Sequence, residues 1–301
     1  MTEYKVSSFV NNYSCYCFAR ILETFQFALA AFLMATHVLG LLAFWKLGEH
    51  FQFARALMST SDKALSDGGH FLMDDSSLFT VLVQYDINEA MYEKARKYRQ
   101  EKSTLLLTTE LQGIGKSSVH MKTIIQDPQT RELLGSLQFK YVKVALSTRR
   151  SVQIPEWFLN KYDRFNPGRL TPAFSPAVMP NKKGIYRKIY TVLPSDIDSN
   201  NHMNNNVYLR LCFDAATEAS VMEKMFSSLH GDMCNYLVKS ASCVYEKECR
   251  LGDVVDIFVW EDKSKVKTLH CKIIKGSDTS FQCTLLLHSS TRFDNFLKSR
   301  L

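Results

Sequence analysis

Residues 208–226 carry apolar side chains at steps of four and three: Tyr208, Cys212, Ala215, Ala219, Met222 and Phe226. On an α-helix that spacing lines all six on one face, so the pattern predicts an amphipathic helix laid on a sheet. Asn204 and Asn205 stand just upstream, where a short side-chain amide caps free backbone N–H groups. On either side of this helix the pattern changes to strand-like runs. They predict strands at 236–244, 254–261, 267–275 and 280–289, after a short opening strand at 187–192. The first half reads in the same order, with an opening strand at 4–9, a long helical stretch, and strands at 78–85, 103–111, 117–125 and 133–146. The tripeptide Tyr-Glu-Lys recurs at Tyr92 and Tyr245, between the first and second of these later strands in each half. A strand, a long helix and a run of antiparallel strands, given twice, is an α+β layout made by duplication.

Five of the seven prolines, Pro155, Pro167, Pro172, Pro176 and Pro180, fall within 26 residues of one another. With Asn166, Gly168, Asn181 and Gly184 they mark a long irregular connector. The chain therefore divides into an N-terminal half at 1–158, a connector at 159–184 and a C-terminal half at 185–301.

Residues 25–45 are apolar except for Gln26, Thr36, His37 and Gly40. The run is long enough for a bilayer by the usual rule of about 20 residues. Its polar side chains lower its hydrophobicity, and no signal-type cleavage site follows it. We read it as the buried helix of the first half, in a cytoplasmic protein. The competing reading is a membrane attachment through the same segment.

Composition narrows the classes. Apolar residues make up 46% and charged residues 22% of 301 residues, which excludes a disordered or fibrous chain. The net charge of +7 is spread along the sequence without a dense Lys/Arg block, which argues against a nucleic-acid partner. It suits an acidic partner or an anionic carrier better. The eight cysteines are scattered singly with no Cys-x-x-Cys pair. They read as small buried hydrophobes in a reducing compartment, and no metal site is expected.

The candidate chemistry precedes the second-half helix. Asp198, Asn200 and His202 occur at alternate positions directly ahead of its start. An ionised carboxylate serves as base or nucleophile, and a helix N-terminus offers N–H donors and a favourable dipole to an oxygen that becomes negative. Taken singly, Asp198 and Asn200 are also ordinary turn residues, and His202 alone reads as a structural histidine.

The whole run, Asp196-x-Asp198-x-Asn200-x-His202-x-Asn204-Asn205-x-x-Tyr208, resembles the signature of acyl-acyl-carrier-protein thioesterases, the plant plastid and bacterial double hot-dog family. The segment from Val244 to Cys249 is similar to that family's Tyr-Arg-Arg-Glu-Cys strand, and Asp253 and Asp256 follow as they do there. In the first half, Gly113-Ile114-Gly115, then Thr148-Arg149-Arg150 and Ile154-Pro155, resemble its Gly-x-Gly strand and its Thr-Arg-Arg…Ile-Pro exit. The resemblance implies a tandem hot-dog fold, with two long helices each wrapped by an antiparallel sheet. It implies hydrolysis of fatty acyl thioesters carried on acyl-carrier protein or coenzyme A, without a cofactor. It assigns the catalytic set to Asp198, Asn200, His202 and Glu248, with Asn204 and Asn205 at the helix N-terminus. Cys249 is an accessory neighbour, because nothing in the sequence supplies a base for a cysteine nucleophile. The acyl chain would lie in the first half, against the helix around 28–45.

The chain departs from the family in a longer interval between His202 and Glu248, read as a loop inserted around 226–234. No plastid-type leader is legible ahead of Tyr4 if Met1 is the start, so a plastid location does not carry over. Other classes stay open: a catalytically weak acyl-binding protein, a membrane-attached protein anchored by 25–45, and a hot-dog dehydratase. A homodimer is also left open.

Overall fold

The protein is described here from a computed structural model. It describes residues 3–6, 15–19, 23–28, 36–37, 41–42, 44, 75–101, 104–162, 174–180, 184–198 and 200–291. The chain divides into two compact units, Met1–Pro172 and Ala173–Leu301, the boundary falling inside the proline-rich connector.

The second unit is the simpler. Its strands are β10 (Tyr186–Thr191), β11 (Tyr236–Tyr245), β12 (Val254–Glu261), β13 (Thr268–Lys275) and β14 (Asp278–Thr291). They pair antiparallel in the order β11-β14-β13-β12-β10. One helix of this unit (Asn205–Val221) lies against β10, β12 and β13. Alternation decides which side chains meet it. Val255, Ile257 and Val259 of β12, Leu269, Cys271 and Ile273 of β13, and Phe281, Cys283 and Leu285 of β14 are all buried. Tyr208, Cys212, Ala215 and Ala219 of the helix are buried too.

The stripe ends earlier than its arithmetic suggests. Val221 is the last helical residue, and Met222, at the C-cap, is 74% exposed. Phe226 is buried from the following loop, whose Ser227 and Ser228 each give a backbone N–H and a hydroxyl to the Glu261 carboxylate.

The first unit contains β1 (Glu3–Val6), β2 (Cys15–Ala19), β3 (Glu23–Ala28), β4 (Thr36–His37), β5 (Leu41–Leu42) and β6 (Ser76–Ile87). Helix α1 (Glu89–Glu101), then β7 (Thr104–Ile114), β8 (Ser118–Gln126), β9 (Leu133–Ala145) and α2 (Glu156–Tyr162) complete it. The helix of the second unit is accordingly α3. The main sheet runs β1-β2-β3-β7-β8-β9-β6, and β4 pairs with β5 in a separate two-stranded sheet.

The two units share one strand order. Counting β3, β6, β7, β8 and β9 as first to fifth gives the sequence first, third, fourth, fifth, second across the sheet. Counting β10, β11, β12, β13 and β14 the same way gives the same sequence. The duplication is therefore in the topology, with β1 and β2 added at the β3 edge.

This corrects two expectations. The counterpart of β10 is β3, not the strand near Tyr4. Residues 25–45 are also not one helix: Phe25–Ala28 belongs to a strand that pairs Phe25 with Leu107, and Thr36–His37 pairs with Leu41–Leu42. The reason is local. Thr24, Phe25, Gln26 and Phe27 alternate polar and aromatic, a period of two that favours a strand. The rest of that run lies outside the described residues except Phe44, which is buried against the edge of Tyr85, ring centroids 5.0 Å apart. Among the described residues no helix is long and apolar enough to cross a membrane.

Helix α1 was not foreseen. Met91 and Tyr92 are its buried apolar contacts, and Lys94 pairs with Asp127 in the β8–β9 turn. The Tyr-Glu-Lys repeat is thus not a structural equivalence, since Tyr92 is helical and Tyr245 ends a strand.

Six cysteines among the described residues, Cys212, Cys234, Cys243, Cys249, Cys271 and Cys283, are free and buried, as packing residues. Burial and neighbouring thiols push Cys212 and Cys283 well up, which keeps them as inert thiols.

Candidate active site

The Asp198–His202 segment is a closed turn between β10 and α3. The Asp198 N–H donates to the His202 carbonyl at 2.9 Å, and Ile197 bridges Met203. Asn201 takes φ of 58° at its apex, a left-handed conformation that asparagine tolerates better than most residues. Inside the turn the Asn200 N–H donates to Asp198 Oδ1 at 2.8 Å, so the carboxylate fixes its own loop.

His202 is buried and faces that carboxylate. Its Nδ1 lies 3.2 Å from the Met203 carbonyl and 3.6 Å from Asp198 Oδ2. A carbonyl and a carboxylate can only accept, so the proton belongs on Nδ1. In the neutral ring this makes Nε2 the acceptor. Asn204 is the N-cap of α3, its side chain accepting from the Asn206 N–H at 2.9 Å, and Asn205 opens the helix. The dipole end of α3 therefore begins two residues after the imidazole.

Glu248 and Cys249 are brought to this turn from across the sheet. The Met203 N–H donates to the Cys249 carbonyl at 2.8 Å, and the Cys249 N–H donates to the Tyr208 hydroxyl at 3.1 Å. Tyr208 packs against Tyr245 and Phe281, ring centroids 5.6 and 5.2 Å away. Tyr245 in turn donates to the Asn205 carbonyl at 3.2 Å. Burial, and then the neighbouring Cys249 and Glu248, push the Tyr208 phenol far up, so it remains a proton donor. Lys275 Nζ donates to the Glu248 carbonyl at 2.8 Å and to Asp253 Oδ2 at 3.0 Å. The Glu248 side chain is partly exposed, with Arg250 3.8 Å from its carboxylate.

Asp198, His202 and the main chain of 248–249 thus form one connected arrangement at the start of α3. Cys249 is fully buried in it, and both its N–H and its carbonyl are engaged. Among the described residues no three potential ligands are arranged to hold a metal ion. Sequence reasoning did not single out Tyr190, Arg210 or Lys275. An arginine placed between the buried Leu209 and Leu211 was the available signal for Arg210.

Residues 180–295 match the family model described as the acyl-ACP thioesterase C-terminal domain. The C-terminal half is thus similar to the C-terminal domain of acyl-ACP thioesterases. No curated protein matches the chain by sequence. Among solved structures, the fold is similar to that of the 12:0-ACP thioesterase from Umbellularia californica, with a TM-score of 0.66 at 13% identity over 90% of this chain and 98% of that one. An acyl-ACP thioesterase from Bacteroides thetaiotaomicron matches with a TM-score of 0.60 at 15% identity, over 89% of this chain and 98% of that one. At such identities the likeness shows the shared α+β, hot-dog type of fold. The matched segment contains all the residues of the candidate site.

Proposed function

We propose that the protein hydrolyses fatty acyl thioesters, releasing a free fatty acid and the thiol of acyl-carrier protein or coenzyme A. The observation that carries this reading is the fastening of the Asp198–His202 turn to the Glu248–Cys249 segment at the N-terminus of α3. Water adds to the acyl carbon, the C–S bond breaks and the carrier thiolate leaves with a proton. Asp198 and Glu248 are the carboxylates able to hold or deprotonate that water. His202, oriented through Nδ1, and Asn200 position it or the thioester. The first N–H groups of α3 favour the oxygen on which negative charge develops.

The test is a panel of acyl thioesters of graded chain length on both carriers, with release of free thiol followed for the purified full chain. Turnover on at least one carrier is expected. No release above the uncatalysed rate with any member would refute the reading.

A further inference from the structure

We propose that Asp196 is a positioning residue, whose buried carboxylate sets where the Asp198–His202 turn stands against β10 and α3. The inference rests on the functional reading above. Asp196 is only 2% exposed. Its Oδ2 accepts from the Tyr190 hydroxyl at 2.6 Å and from the Leu193 N–H at 2.9 Å. Its Oδ1 accepts from the Arg210 guanidinium at 2.8 Å. Its own carbonyl accepts from the Asn204 N–H at 2.8 Å, so the two residues that flank the turn are joined directly.

A buried carboxylate is costly unless donors surround it. Here the donors come from the strand before the turn, from the chain entering it and from the helix after it. Arg210 is further held by Asp214 at 3.5 Å. Burial, and then the bond to Asp196, push the Tyr190 phenol up, which keeps it a donor. The carboxylate therefore fixes the start of the turn to the strand and to the helix whose dipole the reaction uses. Buried as it is, it acts through Asp198 and His202. Misplacement of reacting groups by about 1 Å can cost on the order of 10²-fold in rate.

Asp196→Asn, Tyr190→Phe and Arg210→Lys in the full chain test this, with Glu261→Gln as comparator. Asn keeps the size of Asp196 but meets Arg210 without a charge. Glu261 holds the Ser227–Ser228 loop instead, and its loss should lower the melting temperature without changing kcat. At a temperature where every variant is fully folded, Asp196→Asn should lower kcat by about 10- to 100-fold with KM nearly unchanged. Tyr190→Phe should give a smaller loss, and it carries the test alone if Asp196→Asn fails to fold. The imidazole NMR signal of His202, assigned by substitution, should move in Asp196→Asn and stay in Glu261→Gln. Wild-type kcat with an unmoved His202 signal would overturn the proposal, and so would an equal kcat loss in Glu261→Gln. A wild-type protein inactive on every thioester refutes the functional reading instead. The His202 signal then decides the positioning by itself.

Discussion

Met203 donates its N–H to the carbonyl of Cys249 at 2.8 Å, across 46 positions of sequence. That one bond ties the turn ahead of α3 to the segment after β11, and it joins the two ends of the candidate site. The geometry makes the turn and the strand exit a single unit. Substitutions in either should then affect one step.

Asp198→Asn and His202→Ala should each remove most hydrolysis while the protein stays folded. Asn at 198 can still accept the Asn200 N–H that closes the turn, so the fold loses little. What it loses is the charge facing His202 Nδ1. A general acid–base group contributes about 10²–10⁴-fold, so kcat/KM should fall in that range with circular dichroism unchanged. Near wild-type turnover in either purified variant would make the turn structural.

Much of this is legible in the sequence. The strands of the second unit read correctly to within two residues, because their runs of apolar and β-branched residues are short and bounded by turn residues. Strand β3 did not, because Phe25 and Phe27 are embedded in a long apolar run whose length outweighed its local period of two. Helix α1 was hidden for the opposite reason, since its sequence is mostly charged. The run from Asp196 to Tyr208 was visible as chemistry. That Tyr190, six residues earlier, and Arg210, fourteen later, share the Asp196 carboxylate was not, because no periodicity links a strand exit to the second turn of the following helix.

The N-cap gives a stability prediction. Asn204 satisfies the Asn206 N–H with its side chain, and replacing such a cap by Ala typically costs about 0.5–2 kcal/mol. Asn204→Ala should lower the melting temperature by a few degrees, on the order expected for about 1 kcal/mol. Asn204→Asp, which can accept the same bond and adds a charge at the positive end of α3, should not. An unchanged melting temperature in the Ala variant would show that the cap is not limiting.

In the first unit, pH should act through Lys94 and Asp127. Partial burial pushes the Asp127 carboxyl up, but Lys94 and the N–H groups of Thr130 and Gln129 outweigh it and hold it at about 2. The ordinary value is 3.8, so folding favours the ionised form. The stability this provides is complete above about pH 4 and lost as pH falls toward 2. Urea unfolding of wild type and Lys94→Met should therefore differ at pH 5 and converge near pH 2. A difference that grows on acidification would have the wrong sign and would remove the pair as the cause.

Glu248 and Cys249 are neighbours with opposite surroundings, and this separates their roles. The Cys249 side chain is fully buried, its N–H is given to Tyr208 and its carbonyl to Met203. A cysteine nucleophile needs an approachable sulfur and a base to deprotonate it. The bonds at Cys249 hold main chain in place instead. Glu248 is partly exposed, and Lys275 fixes its carbonyl. Cys249→Ser keeps both main-chain bonds, so it should retain kcat within about tenfold. Glu248→Ala removes a carboxylate able to activate water and should lose about 10²–10⁴-fold. Glu248→Gln, which preserves size, should be nearly as slow if charge is what matters. Rapid quenching of wild type with a radiolabelled acyl thioester gives the deciding comparison. No label should stay on the protein, whereas an acyl group recovered on Cys249 would make the thiol the nucleophile and Glu248 its support.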